Sequence, residues 1–193
     1  MFKPLLFISL IFIVCGFSSV AHSNSLTLES LFSAFKQIKS QQKNFTEEQI
    51  DPILDIRIQK SGYLIYQSPE NLTLHYLTPI KGSIIFTPNQ VKIDFPRRTV
   101  ILSPDDAPQM ALSQTILHLL NGNLKQLSTN FTLQFSPQSN QTWQLNLIPK
   151  NATNNYFHPI QIRGVQKQMT EIVMTDRTGE SRKISFEKLL PTP

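Results

Sequence analysis

Cysteine and charge are both scarce in this chain, and each scarcity excludes a class of protein. The single cysteine, Cys15, excludes a disulfide scaffold and any zinc or iron–sulfur site built from cysteines. Charged residues make up 16% and hydrophobic residues 40% of the 193 residues, a balance that excludes a disordered chain. The charge is also too sparse for a coiled coil. The length predicts one domain.

The only long hydrophobic run lies at the N-terminus, where it predicts a secretory signal peptide over residues 1–23. Lys3 precedes an apolar stretch at residues 5–14, and small residues follow. The preferred cleavage point is after Ser23, and cleavage after Ala21 is the alternative. The run is too short for a comfortable membrane span. We therefore expect an exported protein.

Cys15 leaves a second interpretation of this segment open, since a cysteine after an apolar run can be a lipid-attachment site. Such sites prefer a small residue before the cysteine, whereas this chain has Val14. A discarded Cys15 is the favoured interpretation. Residues 24–193 would then form one cysteine-free domain whose net charge is close to the +5 of the whole chain. No basic stripe with interleaved aromatics is present, so nucleic acid is not a predicted partner.

Two segments have the three- and four-residue apolar spacing of amphipathic helices. The first follows Thr27, a predicted N-cap. The second follows Asp105 or Asp106, has Pro108 in its first turn and ends at Gly122. Leu124 and Leu127 add a short extra turn. The residues predicted to face the rest of the protein from these helices are Phe32, Phe35, Leu112, Ile116 and Leu119.

The remaining chain alternates apolar and polar residues and predicts about eleven antiparallel strands. In residues 54–66 the even positions, among them Leu54, Ile56 and Ile58, form the apolar face. A sandwich or closed barrel would need no helices to cover that face, so the pattern favours an incomplete barrel with a helical lid. The surplus apolar lining predicts a lipid-sized cavity, and a fully packed β core is the alternative. The predicted lining residues are Leu64, Tyr66, Leu72, Leu74, Tyr76, Ile84, Phe86, Ile93, Phe95, Phe131, Leu133, Trp143 and Leu145.

A search for catalytic chemistry finds no known motif for hydrolysis, phosphate binding, dinucleotide binding or metal binding. The histidines are isolated, and Glu47-Glu48 is interpreted as a solvated strand edge. No enzyme activity, metal or cofactor is therefore predicted. A hydrolase that uses His118 is the weakest alternative.

The order of these elements resembles the LolA family of outer-membrane lipoprotein carriers. The resemblance is carried by residues 44–49 (Asn-Phe-Thr-Glu-Glu-Gln), by residues 61–76, which open with Ser-Gly-Tyr-Leu, and by the pair Thr78-Pro79. Residues 119–124, 143–150 and 160–164 look like a LolA-related branch rather than the classical carriers. The resemblance covers most of the mature chain.

The resemblance implies an eleven-stranded incomplete barrel with a helical lid over an apolar cavity, in a monomeric periplasmic protein of a Gram-negative bacterium. It also implies acylated lipoprotein or other lipid cargo, an inner-membrane transporter or exporter complex that loads it, and an outer-membrane acceptor. Classical carriers place an arginine that fastens the lid immediately before the proline at this strand start. Here the pair is Ser68-Pro69, so we expect the fastening contact to be missing.

Three functions from two classes, lipid carriers and regulatory domains, remain open at this stage. The first is a carrier of lipoproteins, and the second is a carrier of another lipid that works beside a lipid exporter. The third is a lipid-sensing regulatory domain that binds a signalling partner only when a ligand is present. A membrane-anchored acceptor that uses Cys15 would be a variant of the carrier.

Overall fold

A computed structural model describes residues 26–103, 107–151 and 158–187. The predicted signal peptide at 1–23 and the possible cap residues Asp105 and Asp106 lie outside these ranges. The helices are α1 (Leu28–Gln37), α2 (Ala107–Leu120) and α3 (Leu124–Asn130), with a single 3₁₀ turn at Ser139–Gln141. The strands are β1 (Ser40–Asp51), β2 (Ile56–Gln67), β3 (Asn71–Thr78), β4 (Gly82–Phe86), β5 (Val91–Phe95), β6 (Arg98–Leu102), β7 (Phe131–Pro137), β8 (Thr142–Pro149), β9 (Ile160–Val165), β10 (Gln168–Thr175) and β11 (Ser181–Phe186).

All eleven strands belong to one antiparallel sheet in the order β6-β5-β4-β3-β2-β1-β11-β10-β9-β8-β7. Neighbouring strands are mostly consecutive in the chain, and the exception is the pairing of the first strand with the last. Within the described ranges β6 and β7 are the unpaired ends of the sheet. The prediction of about eleven strands in an incomplete barrel with a helical part is confirmed.

The first helix begins as the sequence predicts. The hydroxyl of Thr27 accepts from the Ser30 backbone N–H at 3.1 Å, and the Ser30 hydroxyl accepts from the Thr27 N–H at the same distance. This reciprocal capping box satisfies two amide groups that the first turn would leave unpaired. The apolar stripe of α1 is buried, and the Phe35 ring packs 6.2 Å from the Trp143 ring of β8. The helix therefore lies on the buried face of the sheet.

The second helix ends at the predicted glycine. Gly122 has a φ of 63°, its N–H donates to the Leu119 carbonyl, and the Asn123 N–H donates to the His118 carbonyl. This is the Schellman arrangement, in which the left-handed residue favours glycine. A Cβ atom at Gly122 would also overlap the Phe32 carbonyl oxygen, so the turn after α2 lies directly against α1. The end of α2 and α1 are therefore in close contact at this point.

The predicted apolar face of residues 54–66 is buried only in its second half. Leu54 lies in the turn between β1 and β2 and is 65% exposed, and Ile56 and Ile58 are 45% and 37% exposed. The prediction that these three positions face a core is wrong. The ladder between β2 and β3 begins only at Ser61, so within the described residues the earlier part of β2 pairs with β1 alone.

In the ranges that the structure describes, no helix is both long enough and apolar enough to cross a membrane.

Candidate functional site

An apolar pocket lies between the helices and the buried face of four adjacent strands, β2, β1, β11 and β10. Its volume is about 50 Å³. The wall consists of Phe35, Ile38, Gln41, Lys43, Leu64, Tyr66, Leu120, Lys167, Gln168, Met169 and Phe186. None of these lining residues is acidic, and two are lysines. The pocket is thus mostly hydrophobic, with positive charge and amides as its polar groups.

Helix and sheet contribute opposite sides of this pocket. The end of α1 contributes Phe35, and the last residue of α2 contributes Leu120. The sheet contributes Leu64 from β2 and Met169 from β10, which are 6% and 7% exposed. Alternation along each strand directs these side chains to the same face. A space of this size holds a few water molecules and is too small for a long acyl chain without enlargement.

Lys43 is the least expected member of the pocket. The residue is only 8% exposed, and its Nζ donates to the Met169 backbone carbonyl at 3.3 Å. Burial lowers the pKa of the Lys43 ammonium below its usual range. Lys43, Phe45 and Glu47 occupy alternate positions of β1, point to the same face and are all buried. This alternation with Phe45 was the sequence feature that could have predicted the burial of Lys43.

The second lysine of the pocket lies on the tight turn between β9 and β10. Gln166 precedes it with a φ of 54°, and its carbonyl accepts from Trp143 Nε1 at 2.8 Å. The Gln166 N–H also donates to the Gln141 carbonyl at 2.7 Å. These contacts hold the turn, and with it the exposed Lys167, at the pocket wall. Lys167 and Gln168 also line a neighbouring open groove of about 570 Å³.

The helical cover is fastened to the strand start that the sequence analysis singled out. The Tyr66 hydroxyl donates to Asn121 Oδ1 at 2.6 Å, and Asn121 Nδ2 donates to the Pro69 carbonyl at 2.7 Å. The Ser68 hydroxyl is 3.5 Å from the same Oδ1 atom. Ser68 stands in the place of the arginine, so the loss of the arginine contact stays a prediction, and a contact of another kind occurs at this strand start. Asn121, the residue after α2, makes the contact with neutral groups, which the sequence did not reveal because the partners lie more than 50 positions apart.

We predict that Asn121→Ala loosens this fastening. It removes the hydrogen bonds to Tyr66 and Pro69 and leaves the Tyr66 hydroxyl without this partner, at a cost of about 1–3 kcal/mol. Hydrogen exchange measured by mass spectrometry should accelerate in the second half of α2 and in α1. Asn123→Ala is the matched control, because its side chain caps α3 rather than contacting the sheet. Equal protection of α1 in the two variants would contradict the assigned role of Asn121.

A second polar cluster lies deeper on the same face of the sheet. Glu47 is 2% exposed, and it accepts a hydrogen bond from the Tyr76 hydroxyl at 2.6 Å and one from Lys60 Nζ at 3.1 Å. Burial and the neighbouring Glu47 carboxylate raise the pKa of Tyr76. The interpretation of Glu47 as part of a solvated strand edge is wrong, because β1 lies between β2 and β11 in the middle of the sheet. Its neighbour Glu48 faces the other side and pairs with Arg57.

The predicted site residues are distributed between the pocket and the hydrophobic core around it. Leu64, Tyr66 and Phe35 line the pocket. The buried core contains Phe32, Leu72, Leu74, Tyr76, Phe86, Leu119, Phe131, Trp143 and Leu145, and the half-buried residues packed against it include Ile84, Ile93, Phe95, Ile116 and Leu133. The side chain of Leu112 lies outside the described part of the structure. The role of this set in lining a lipid cavity stays a prediction.

The chain matches the family model described as outer membrane lipoprotein carrier protein LolA over residues 34–192. It is also similar to a solved LolA superfamily protein from Nitrosomonas europaea, with 13% identity, a TM-score of 0.44 and coverage of 88% of this chain and 96% of the other. For a DUF1329 family protein from Desulfovibrio piger the identity is 8%, the TM-score 0.49 and the coverage 83% and 89%. For the MucA/MucB complex of Pseudomonas aeruginosa the identity is 11%, the TM-score 0.43 and the coverage 82% and 55%. No curated protein shows significant sequence similarity to the chain.

Proposed function

The chain belongs to the LolA family of outer membrane lipoprotein carrier proteins, and on this basis we propose that it is a lipid carrier. In this proposal the mature protein lies in the periplasm of a Gram-negative bacterium. It binds the acyl chains of a lipoprotein or a related lipid between its helices and its sheet. It takes this cargo from an inner-membrane transporter or exporter and delivers it to an outer-membrane acceptor, without catalysis.

The single observation that supports the proposal best is the apolar pocket beneath α1 and the end of α2. Each CH₂ group that leaves water for such a surface contributes about 0.8 kcal/mol, so the affinity for an acyl chain grows with the number of methylenes that the pocket buries. The pocket is bordered by side chains from two helices rather than by strands alone. Because the helices are joined to the sheet here by side-chain contacts, the pocket can enlarge without breaking the ladders of the sheet.

Release is as necessary to a carrier as binding, and the contacts of Asn121 suit this requirement. The hydrogen bonds from Tyr66 to Asn121 and from Asn121 to Pro69 join neutral groups. Neutral hydrogen bonds contribute about 0.5–1.5 kcal/mol each, less than those between charged groups. A helical cover held in this way closes over cargo and opens again at moderate cost.

The test is occupancy of the purified protein. We expect protein recovered from a Gram-negative periplasm to give native mass spectra with an added lipid mass, and the extracted lipid to contain acyl chains. Leu120→Trp fills the pocket from the helical side and should reduce occupancy at least about fivefold, because the indole takes the space of the first methylenes.

The matched control is Gln126→Trp, which adds the same side chain at an exposed position of α3. It should keep the occupancy of the unaltered protein. A lipid-free protein that also fails to take up a supplied acyl lipid would contradict the proposal. The extracted lipid also separates a lipoprotein cargo from another lipid, a choice that the replacement of the family arginine by Ser68 leaves open.

A further inference from the structure

The polar groups of the pocket have one sign of charge. Lys43 and Lys167 contribute two ammonium groups, and Gln41 and Gln168 contribute two amides, whereas none of the described residues that line the pocket is an aspartate or glutamate. Elsewhere in the described structure buried charge is compensated: Glu47, for instance, has both Lys60 and Tyr76 as partners. The pocket is therefore an exception to the way this protein treats buried charge.

Lys43 has a hydrogen-bond acceptor but no negatively charged partner among the described residues. Its Nζ has three donors, and the structure assigns one of them to the Met169 carbonyl at 3.3 Å. No ion pair of Lys43 occurs among the described residues, although the side chain is 8% exposed. A buried ammonium without a negative partner is costly, and a well-placed anion beside it offsets part of that cost. The unused donors of Lys43 thus favour a ligand that carries negative charge.

Lys167 places a second positive charge where the pocket wall meets the protein surface. It lies on the β9–β10 turn, which the bond from Trp143 to Gln166 holds in place, and it borders both the pocket and the adjoining groove. The apolar residues Phe35, Leu64 and Leu120 lie in the same pocket. One site can therefore contact both the acyl chain and the anionic group of a ligand.

We propose that this pocket selects an anionic amphiphile, with the carboxylate or phosphate of its headgroup at Lys43 and Lys167 and its acyl chain against the apolar wall. This inference rests on the proposed lipid-carrier function and names the chemical class of its ligand. A neutral acyl ester would supply only carbonyl oxygens to Lys43 and would leave its charge uncompensated.

The test compares three ligands with the same sixteen-carbon chain: palmitate, palmitoyl lysophosphatidate and the neutral monopalmitoylglycerol. Each is titrated below its critical micelle concentration, and binding is followed by the fluorescence of Trp143, the single tryptophan. We expect at least one anionic ligand to bind at least about tenfold more tightly than the neutral one, the difference expected for a charge-assisted hydrogen bond. A preference for palmitate identifies a carboxylate, and a preference for lysophosphatidate identifies a phosphate.

Variants separate a charge effect from a packing effect. Lys43→Met keeps an unbranched apolar side chain and should bind all three ligands with the affinity of the neutral one. Lys43→Arg should retain the preference. Lys167→Gln should reduce it less, because that ammonium is exposed to solvent. Lys125→Gln removes an exposed lysine of α3 and is the control for net charge.

The outcomes distinguish this inference from the function on which it rests. If the three ligands bind the unaltered protein equally, or if Lys43→Met weakens all three equally, the selection of an anion is overturned and the lipid-binding function stands. If none of the three binds, the lipid-binding function fails together with the inference.

Discussion

Replacing Gly164 with valine is expected to lower the free energy of unfolding by about 3 kcal/mol or more, enough to prevent folding in a marginally stable domain. Gly164 lies in β9 directly opposite Trp143 of β8. A Cβ atom at this position would overlap the indole ring and the backbone carbonyl of Gln168. The ring is 1% exposed and donates its Nε1 proton to Gln166, so it cannot move away without losing packing and a hydrogen bond.

Urea denaturation provides the measurement, and Trp143 provides the signal. The matched control is Gln161→Val, which introduces the same side chain into the same strand on its other face. We expect its free energy of unfolding to change by less than about 1 kcal/mol. Similar denaturation midpoints for the two variants would show that the sheet tolerates a side chain beneath the indole, and would refute the account of this contact.

The second large effect is expected for Glu47→Ala, which should cost about 3 kcal/mol. The carboxylate is 2% exposed and has two partners, the Tyr76 hydroxyl at 2.6 Å and Lys60 Nζ at 3.1 Å. Its removal leaves a buried hydroxyl unsatisfied and a lysine without its counter-charge, and breaking a buried pair in this way is strongly destabilising. The Phe45 ring, which packs edge-on against Tyr76 at 5.3 Å, loses an ordered neighbour as well.

Glu48→Ala is the matched control for this change. The same charge is removed from the adjacent residue, but Glu48 faces outward and pairs with Arg57, whose side chain is 64% exposed. Exposed ion pairs contribute little, so we expect a loss below about 1 kcal/mol. Chemical denaturation at neutral pH measures the free energy of unfolding of both variants. If both variants lose the same stability, the Glu47 cluster is not the structural element that we describe.

The sequence predicted those parts of the fold that depend on neighbouring residues. Alternation predicted about eleven strands, because an antiparallel strand with one buried face has an apolar residue at every second position. Thr27 and Gly122 marked the helix ends because capping is a matter of three to six residues. The sequence did not predict which part of the β1–β2 hairpin is buried. That depends on how far β3 extends along β2, which local sequence does not reveal.

The candidate site could be predicted only in part, because its polar members depend on contacts between distant residues. Lys43 contacts a carbonyl 126 positions away, and Asn121 contacts residues more than 50 positions away. A polar residue in the inward phase of a strand conflicts with the apolar pattern, and local sequence contains no information about its partner. Glu47 was misjudged for the same reason. The apolar members Leu64, Tyr66 and Phe35 were found because alternation and helical spacing identify them.

The two end strands of the sheet have a mechanical consequence. The chain joins β6 to β7 through α2 and α3, and no backbone ladder connects these strands in the ranges that the structure describes. Moving these two strands apart would therefore break no ladder of the described sheet and would act on the helices that join them. If the protein carries lipid as we propose, the continuous ladders keep the strands in register, and the packing of the helices against the sheet sets the size of the ligand that fits.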